Sequence, residues 1–83
     1  MEKSLYSENQ KKLQRLLRDL RVDAELRQED VADSLKVPQS FVSKYESGER
    51  RLDILELRSV SDVLGLSLSK FCQKLEKSTL DVD

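Results

Sequence analysis

The sequence has 83 residues, which is short for more than one domain and allows only a small hydrophobic core. Its 15 Lys and Arg against 16 Asp and Glu give a net charge of -1, so the chain as a whole has no electrostatic attraction to nucleic acid or to an anionic membrane. The absence of His and the single Cys72 exclude an internal disulfide and leave no recognisable soft-metal site, so no metal or cofactor is expected.

Two amphipathic helices are predicted in the first half of the sequence. From Glu8 to Ala24, leucines recur at three- and four-residue steps while Lys, Gln and Arg fill the opposite face, which is typical of a helix with one buried side. From Gln28 to Leu35 the pattern repeats more briefly, with acidic residues near the start that suit a helix N-terminus. The residues expected to face inward are Leu13, Leu16, Leu17, Leu20, Val31, Ala32 and Leu35.

A third helix is predicted from Pro38 to Gly48. Proline disfavours the helical conformation of the residue before it but is tolerated at a helix start, so the chain should turn at Lys36 and then begin a new helix. Gly48 supplies the left-handed residue with which helices often end. Val42 and Tyr45 should point inward, which leaves the outer face to Gln39, Ser40, Phe41, Ser43 and Lys44.

Two further helices are predicted in the last third of the chain. Asp53 and Glu56 have the spacing of a capping box, and Gly65 marks the end of the helix that this box begins. Ser67 can cap a last helix, and the chain from Ser78 onward should be frayed. The residues expected to face inward are Ile54, Leu57, Val60 and Leu64 in the fourth helix, and Leu68, Phe71 and Leu75 in the fifth.

These elements predict one all-α domain over residues 1–83, with a core of about residues 8–75 and flexible ends. No apolar stretch approaches a membrane span or a signal-peptide core, so a soluble, cytoplasmic protein is expected. The second and third helices are short and joined by a tight turn. Such a pair can place its second helix in the DNA major groove while the first braces it across the backbone, although many small bundles contain the same pair.

The segment from Gln28 to Gly48 resembles the helix-turn-helix of the Xre/Cro family, the lambda-repressor-like domains. Gln28 matches the glutamine that opens the second helix in that family, Glu46-Ser47-Gly48 matches its Glu-x-Gly helix ending, and residues 52–65 match its leucine-rich fourth helix. The resemblance covers roughly residues 13–72 and implies a five-helix lambda-repressor-like fold and a sequence-specific transcription regulator, either activator or repressor. Three residues depart from the family pattern: Lys36 replaces a turn glycine, Arg27 replaces a capping Ser or Thr, and Pro38 replaces a small polar residue.

The resemblance also implies which residues contact DNA bases. The family uses the start and the outer face of the third helix, which correspond here to Gln39, Ser40 and Lys44, with Phe41 and Ser43 beside them. Gln can bond adenine at two positions, Lys can donate to guanine, Ser can meet either, and Phe can touch a thymine methyl. The alternative for the polar residues is an ordinary solvated helix face. The alternative for Phe41 is packing against a neighbouring helix, and the sequence does not separate its two roles.

Three residues are expected to contact DNA phosphates. Gln28 begins the second helix, where side-chain and backbone N–H groups and the helix dipole favour an anion. Arg50 and Arg51 follow the third helix in a loop that the family lays along the DNA backbone, although adjacent arginines are often only solvated loop charges. Four acidic residues near this side would oppose binding unless they point away from it: Glu29, Asp30, Asp33 and Glu49.

Two structural contacts are also predicted. Arg21 continues the leucine stripe of the first helix by one four-residue step, and Glu46 occupies the family position that pairs with it, so a partly buried ion pair is expected. A two-fold dimer is expected because one helix-turn-helix unit reads too few base pairs for a unique address. Its interface should involve Leu68, Phe71 and Leu75, with contributions from the fourth helix and the Leu5-Tyr6 segment. Alternatively, Leu68 and Phe71 close the core of the monomer.

Catalysis is not expected, because the sequence offers no nucleophile-base pair, metal cluster or phosphate-binding glycine loop. A protein-interaction module remains as an alternative to a DNA-binding regulator. In that case the helix pair, as in an antitoxin-type subunit, would have another protein as its main partner. Salt separates the two, because binding through phosphates weakens steeply with ionic strength and an apolar protein contact does not.

Overall fold

The computed structural model describes residues 8–80 and has five helices there: α1 (Asn9–Asp23), α2 (Gln28–Leu35), α3 (Gln39–Ser47), α4 (Ile54–Val63) and α5 (Leu68–Leu80). The predicted all-α fold and its five helices are confirmed. The last helix is longer than predicted, since α5 continues through Ser78 instead of fraying there. Residues 1–7 and 81–83, to which the predicted flexible ends and the Leu5-Tyr6 segment belong, lie outside the described residues. None of the described helices is long and apolar enough to cross a membrane.

The helix ends follow the capping signals in the sequence. At α4, the Glu56 backbone N–H donates to Asp53 Oδ1 over 2.7 Å, and the Asp53 backbone N–H donates to Glu56 Oε1 over 2.9 Å, which completes the capping box. At α5, the Ser67 hydroxyl accepts from the Lys70 backbone N–H over 3.1 Å. Gly48 ends α3 with a φ of +92°. Short-range hydrogen bonding therefore fixes where α3, α4 and α5 lie along the chain.

The core lies where all five helices meet. α3 packs against α1 and α2, α5 packs against α1 and α4, and α4 packs against α2. Complete burial of side chains as large as these contributes about 1.5–3 kcal/mol each, so these few residues dominate the folding energy. The buried apolar residues are Leu17, Val31, Ala32, Val42, Tyr45, Val60, Leu64 and Phe71.

A buried hydroxyl joins the last two helices. Ser61 is completely buried, and its hydroxyl lies 2.8 Å from the Leu66 carbonyl oxygen and 3.2 Å from that of Ser67, to which it can donate. A buried hydroxyl without such a partner would destabilise the fold, whereas this one ties α4 to the start of α5. The angle between α4 and α5 is therefore fixed by a specific polar contact as well as by apolar packing.

The prediction that Ile54 faces inward is wrong. Ile54 is 60% exposed, and the buried stripe of α4 is made by Leu57, Val60 and Leu64. At 3.6 residues per turn, Ile54 points roughly 90° away from the mean direction of those three residues. The first turn of α4 therefore leaves large apolar surface in contact with solvent.

Three helices end in the same way, although only one of the three has a glycine at the left-handed position. At the ends of α1, α2 and α4, the left-handed residues are Glu25 (φ +60°), Lys36 (φ +61°) and Gly65 (φ +87°). In each, the next residue's N–H donates back to a carbonyl five residues earlier, as in the Lys36 turn, where the Val37 N–H lies 3.0 Å from the Ala32 oxygen. The turn expected at Lys36 is therefore present, and because it is left-handed it carries the steric cost of a Cβ.

We expect Lys36→Gly to raise the free energy of unfolding by about 0.5–1 kcal/mol, because glycine adopts a positive φ without that cost. Lys74→Gly is the matched control, since it replaces an exposed lysine inside α5 and should lower stability by about 1 kcal/mol. Urea denaturation of both variants measures the two effects. A Lys36→Gly protein less stable than the wild type would contradict the strain assigned to this turn.

Candidate nucleic-acid interface

The outer face of α3 is polar and open to solvent. α3 buries Val42 and Tyr45, while Gln39, Ser40 and Lys44 are exposed. Ser43 is partly buried, and its hydroxyl donates to the Ser40 carbonyl over 3.2 Å within the helix. The three exposed residues therefore form the surface that α3 can present to another molecule.

A partly buried ion pair joins α1 to the end of α3. Arg21 Nε donates to Glu46 Oε2 over 2.7 Å, and Arg21 Nη2 donates to Glu46 Oε1 over 3.1 Å, with side chains only 13% and 6% exposed. Arg21 Nη1 donates to the Leu26 carbonyl over 2.9 Å, which ties the turn between α1 and α2 to the same guanidinium. The hydrogen bond to Glu46 raises the pKa of Arg21. The structure thus contains the ion pair that the sequence predicts.

A chain of side-chain hydrogen bonds extends from this ion pair to the start of α3. Gln28 Nε2 donates to Glu46 Oε1 over 3.1 Å, and Gln39 Nε2 donates to Gln28 Oε1 over 3.2 Å. The Glu46 carboxylate can only accept, so Gln28 must turn its NH₂ toward Glu46 and its oxygen toward Gln39. Gln39 must then present its NH₂ to Gln28. The ion pair therefore sets the orientation of an exposed amide on α3.

The network changes the role expected of Gln28. Its side chain bonds Glu46 and Gln39 and is not the phosphate ligand that the sequence suggested. Gln28 does begin α2, where backbone N–H groups and the helix dipole favour an anion. A phosphate contact by Gln28 therefore stays a prediction for its backbone N–H alone.

Phe41 does not face outward with the polar residues of α3. It is half-buried against the core, its ring meets Tyr45 edge-on with centroids 5.8 Å apart, and the Arg50 guanidinium carbon lies 4.4 Å above its ring centroid. The four-residue spacing from Tyr45 places both rings on one side of the helix, and this spacing was a usable signal in the sequence. The prediction that Phe41 lies on the outer face of α3 and contacts bases there is wrong, since its ring packs against Tyr45 and Arg50 of its own chain.

Arg50 is also engaged within the chain. Its Nη1 and Nη2 donate to Glu56 over 3.1 and 2.8 Å, and Nη1 donates to the Arg51 carbonyl over 2.8 Å. This bidentate pairing replaces the phosphate contact predicted for Arg50. The Arg50 hydrogen bonds, followed by the Asp53 backbone N–H, lower the pKa of Glu56 to about 2. Arg51, which is exposed, retains its predicted phosphate role as a prediction.

Two of the acids near this surface are paired with Arg27. Arg27 Nη2 lies 3.0 Å from Glu29 and 3.3 Å from Asp30, and the Arg27 backbone N–H donates to Asp30 Oδ2 over 2.8 Å. That backbone hydrogen bond is the largest cause of the lowered pKa of Asp30. Arg27 thus occupies the start of α2 without the capping oxygen of Ser or Thr, and it offsets two negative charges there.

The predicted dimer residues separate into two groups. Phe71 is completely buried in the core of the single chain, so its assignment to an interface is wrong. α5 packs against α1 and α4, and the Phe71 ring closes the core of the monomer, which is the alternative that the sequence left open for it. Leu68 and Leu75 are partly exposed and stay candidates for an interface.

The comparisons with known proteins agree with this geometry. A family model described as helix-turn-helix matches residues 17–71. A solved structure of an XRE-family like protein from Pseudomonas syringae pv. tomato str. DC3000 is similar over 93% of this chain and 94% of that chain, with 36% sequence identity and a TM-score of 0.83. The clp gene regulator ClgR from Corynebacterium glutamicum shares the fold, at 22% identity over 93% of this chain and 83% of that chain, with a TM-score of 0.76. No curated protein matches the sequence.

We expect Glu46→Ala to lower the free energy of unfolding by about 2–4 kcal/mol, because it leaves the Arg21 charge nearly buried without its carboxylate. Glu29→Ala is the control, since its ion pair with Arg27 is exposed to solvent and its loss should change stability far less than Glu46→Ala does. Chemical denaturation of both variants measures the difference. Equal denaturation midpoints for wild type and Glu46→Ala would show that the ion pair does not hold α1 to α3.

The lowered pKa of Glu56 predicts a pH dependence of stability. The folded-state pKa lies near 2 and the ordinary value is 4.5, so the stabilising contribution is complete above about pH 4.5 and is lost as the pH falls toward 2. Glu56→Gln cannot titrate there, so its stability should fall less than that of the wild type between pH 5 and pH 2.5. Denaturation midpoints at the two pH values measure this difference. Equal losses in the two proteins would contradict the strength assigned to the Arg50 contact.

Proposed function

The chain belongs to the XRE family of helix-turn-helix DNA-binding transcription regulators, and from that premise we propose that it binds a palindromic operator as a homodimer, with α3 in the major groove. The regulator would act in the cytoplasm. Base recognition would come from the exposed polar side chains of α3, and affinity from phosphate contacts around them. The net charge of -1 means that this affinity must come from local placement of donors and not from a global field.

The observation that carries the proposal is the fixed amide of Gln39. One hydrogen of Gln39 Nε2 is used by Gln28, which leaves the second hydrogen and the Oε1 oxygen on the exposed side of α3. An adenine edge presents one acceptor, N7, and one donor, the N6 amino group, in the spacing that an amide can match. Because the network orients the amide before DNA arrives, little side-chain entropy is lost on binding.

The other contacts complete a reading surface. Ser40 lies beside Gln39 and can donate or accept at a base edge, and Lys44 lies one turn further along α3, where it can donate to guanine. Arg51 and the backbone N–H of Gln28 would bind phosphates on either side of α3 and set its position in the groove. Two such surfaces related by a two-fold axis, with α3 N-termini about 34–36 Å apart, would meet successive major grooves on one face of DNA.

A protein-interaction module has lost part of its support. The residue that best fitted a protein contact on α3 was Phe41, and its ring packs against Arg50 and Tyr45 of the same chain. The polar face that remains on α3 suits base edges and water better than an apolar partner. The dependence of binding on salt separates the two functions, as a DNA complex must weaken as counterions return to the phosphates.

A selection from randomised duplexes with the purified protein supplies the operator, and fluorescence anisotropy then measures variants on that site. We expect Gln39→Ala and Lys44→Ala each to lose about 1–3 kcal/mol of binding free energy and to relax preference at one base pair. Gln28→Ala should weaken the same base preference as Gln39→Ala, because it removes the Gln28 oxygen that accepts from the Gln39 amide and orients it. The two changes together should therefore cost less than their sum.

Arg51→Ala tests a contact with DNA phosphates and not one with DNA bases. It should weaken all duplexes alike and reduce the slope of log affinity against log salt by about one unit. Lys74→Ala, on the outer side of α5, is the control and should change neither affinity nor slope. A selection that enriches no sequence, or Gln39→Ala and Lys44→Ala proteins with unchanged base preference, would rule out α3 as the reading helix.

A further inference from the structure

The first turn of α4 exposes two large apolar side chains next to each other. Ile54 is 60% exposed and Leu55 is 68% exposed. Single apolar residues are common on protein surfaces, but adjacent ones beside a concave surface are typical of an interaction site. The first turn of α4 therefore has the apolar surface of an interaction site.

A groove of about 530 Å³ runs between α4 and α5 beside Leu55. Its lining includes Leu66 and Leu68 on one side and Arg58 and Asp62 on the other. No residue of α3 lines it, so a molecule seated in this groove would not cover the Gln39 surface. The groove can therefore be filled while α3 is bound to DNA.

The groove carries one positive and one negative side chain, so its charges are complementary to those of the same groove on a second copy of the chain. Arg58 and Asp62 are one helical turn apart on the exposed face of α4, and neither forms an ion pair with any of residues 8–80. A two-fold axis brings the same surface against itself, so residue i of one copy meets residue j of the other, and j meets i. Antiparallel α4 helices would thus place Arg58 of each copy opposite Asp62 of the other.

The apolar residues fit the same register. If Arg58 of one copy is opposite Asp62 of the other, the axis lies near residue 60, and Leu55 falls opposite residues 65–66 of the second copy. Leu66 is there, in the groove wall, with Leu68 beside it. Ser59 lies next to the axis on the exposed face, and its small side chain lets the two helices approach closely. Charge, apolar surface and side-chain size therefore agree on one arrangement.

We propose that the occupant of this groove is a second copy of the chain, bound through antiparallel α4 helices with reciprocal Arg58–Asp62 ion pairs and with Leu55 of each copy inserted between α4 and α5 of the other. This inference rests on the proposed function, which includes a homodimer, and it assigns the surface through which that dimer forms. Leu68 keeps a place in the interface, but Leu75 does not line the groove and has none.

Exchange of charges between two variants tests this arrangement. Arg58→Asp makes the exposed face of α4 acidic, and Asp62→Arg makes it basic, so each variant should repel itself and dimerise at least about 100-fold more weakly than the wild type. An equimolar mixture should restore a dimer, because an acidic face then meets a basic one at both Arg58–Asp62 sites. Interactions within one chain cannot produce recovery on mixing.

Light scattering and sedimentation on DNA-free protein across micromolar concentrations give the masses. The wild type and the mixture should reach twice the 9.6 kDa of one chain, while each variant alone stays at 9.6 kDa. Lys70→Asp, which reverses an exposed charge on α5 outside the groove, is the control and should dimerise like the wild type. Circular dichroism should show the same helix content in all four proteins.

Three outcomes would overturn the proposal: a wild type that stays monomeric, single variants that dimerise as well as the wild type, or a mixture that does not recover the dimer. Binding of a single half-site duplex, measured on the same samples, keeps the two proposals apart. Both variants should still recognise the half-site, since the groove holds no reading residue. A dimer that binds no DNA would remove the proposed DNA recognition and keep this interface, whereas a DNA-binding monomer would remove this interface and the homodimer and keep α3 as the reading helix.

Discussion

The Arg21–Glu46 ion pair is the contact on which the candidate DNA surface depends. One guanidinium bonds a carboxylate at the end of α3 and a carbonyl in the turn between α1 and α2, so three separate segments share one group. The carboxylate also accepts from Gln28, which in turn accepts from Gln39. A charge-assisted contact inside the domain thereby controls the direction of a neutral amide on its surface. The Glu46 side chain therefore contributes to the stability of the domain through Arg21 and to the proposed recognition of DNA through Gln28 and Gln39.

Around α3, positive and negative side chains are paired with each other over short distances. Arg27 offsets two acids at the start of α2, and Arg50 offsets Glu56 beside the α3–α4 loop. These pairs offset negative charge around α3, and they also engage two of the cations nearest to it. Under the proposed function, affinity for DNA would then depend more on backbone N–H groups and a few exposed side chains than on a basic field. Such an interface favours specific sites over nonspecific DNA, because the sequence-independent contribution is small.

The sequence was sufficient for the features that depend on neighbours along the chain. Helical periodicity, the Asp53 capping box and Gly48 located the helices closely, and the family resemblance located the Arg21–Glu46 pair. Errors arose where a residue's surroundings come from distant segments. Phe41 and Arg50 stack on each other only because α4 brings Glu56 to the same place, and no local pattern encodes that meeting. Ile54 shows the same limit, since its burial depends on which helix lies opposite it, and for Phe71 the sequence could not decide between the core and an interface.

The hydrogen bond from Gln39 to Gln28 also has a consequence for how this regulator can diverge. A substitution at Gln39 removes the donor to the Gln28 oxygen, so a change of specificity at this position also changes the hydrogen bonding of Gln28 behind it. Within residues 8–80, the side chains of Ser40 and Lys44 make no hydrogen bond to another side chain. Duplicated copies of the gene should therefore acquire new target sites first through residues 40 and 44. The base that Gln39 is proposed to read should be the slowest part of the operator to change.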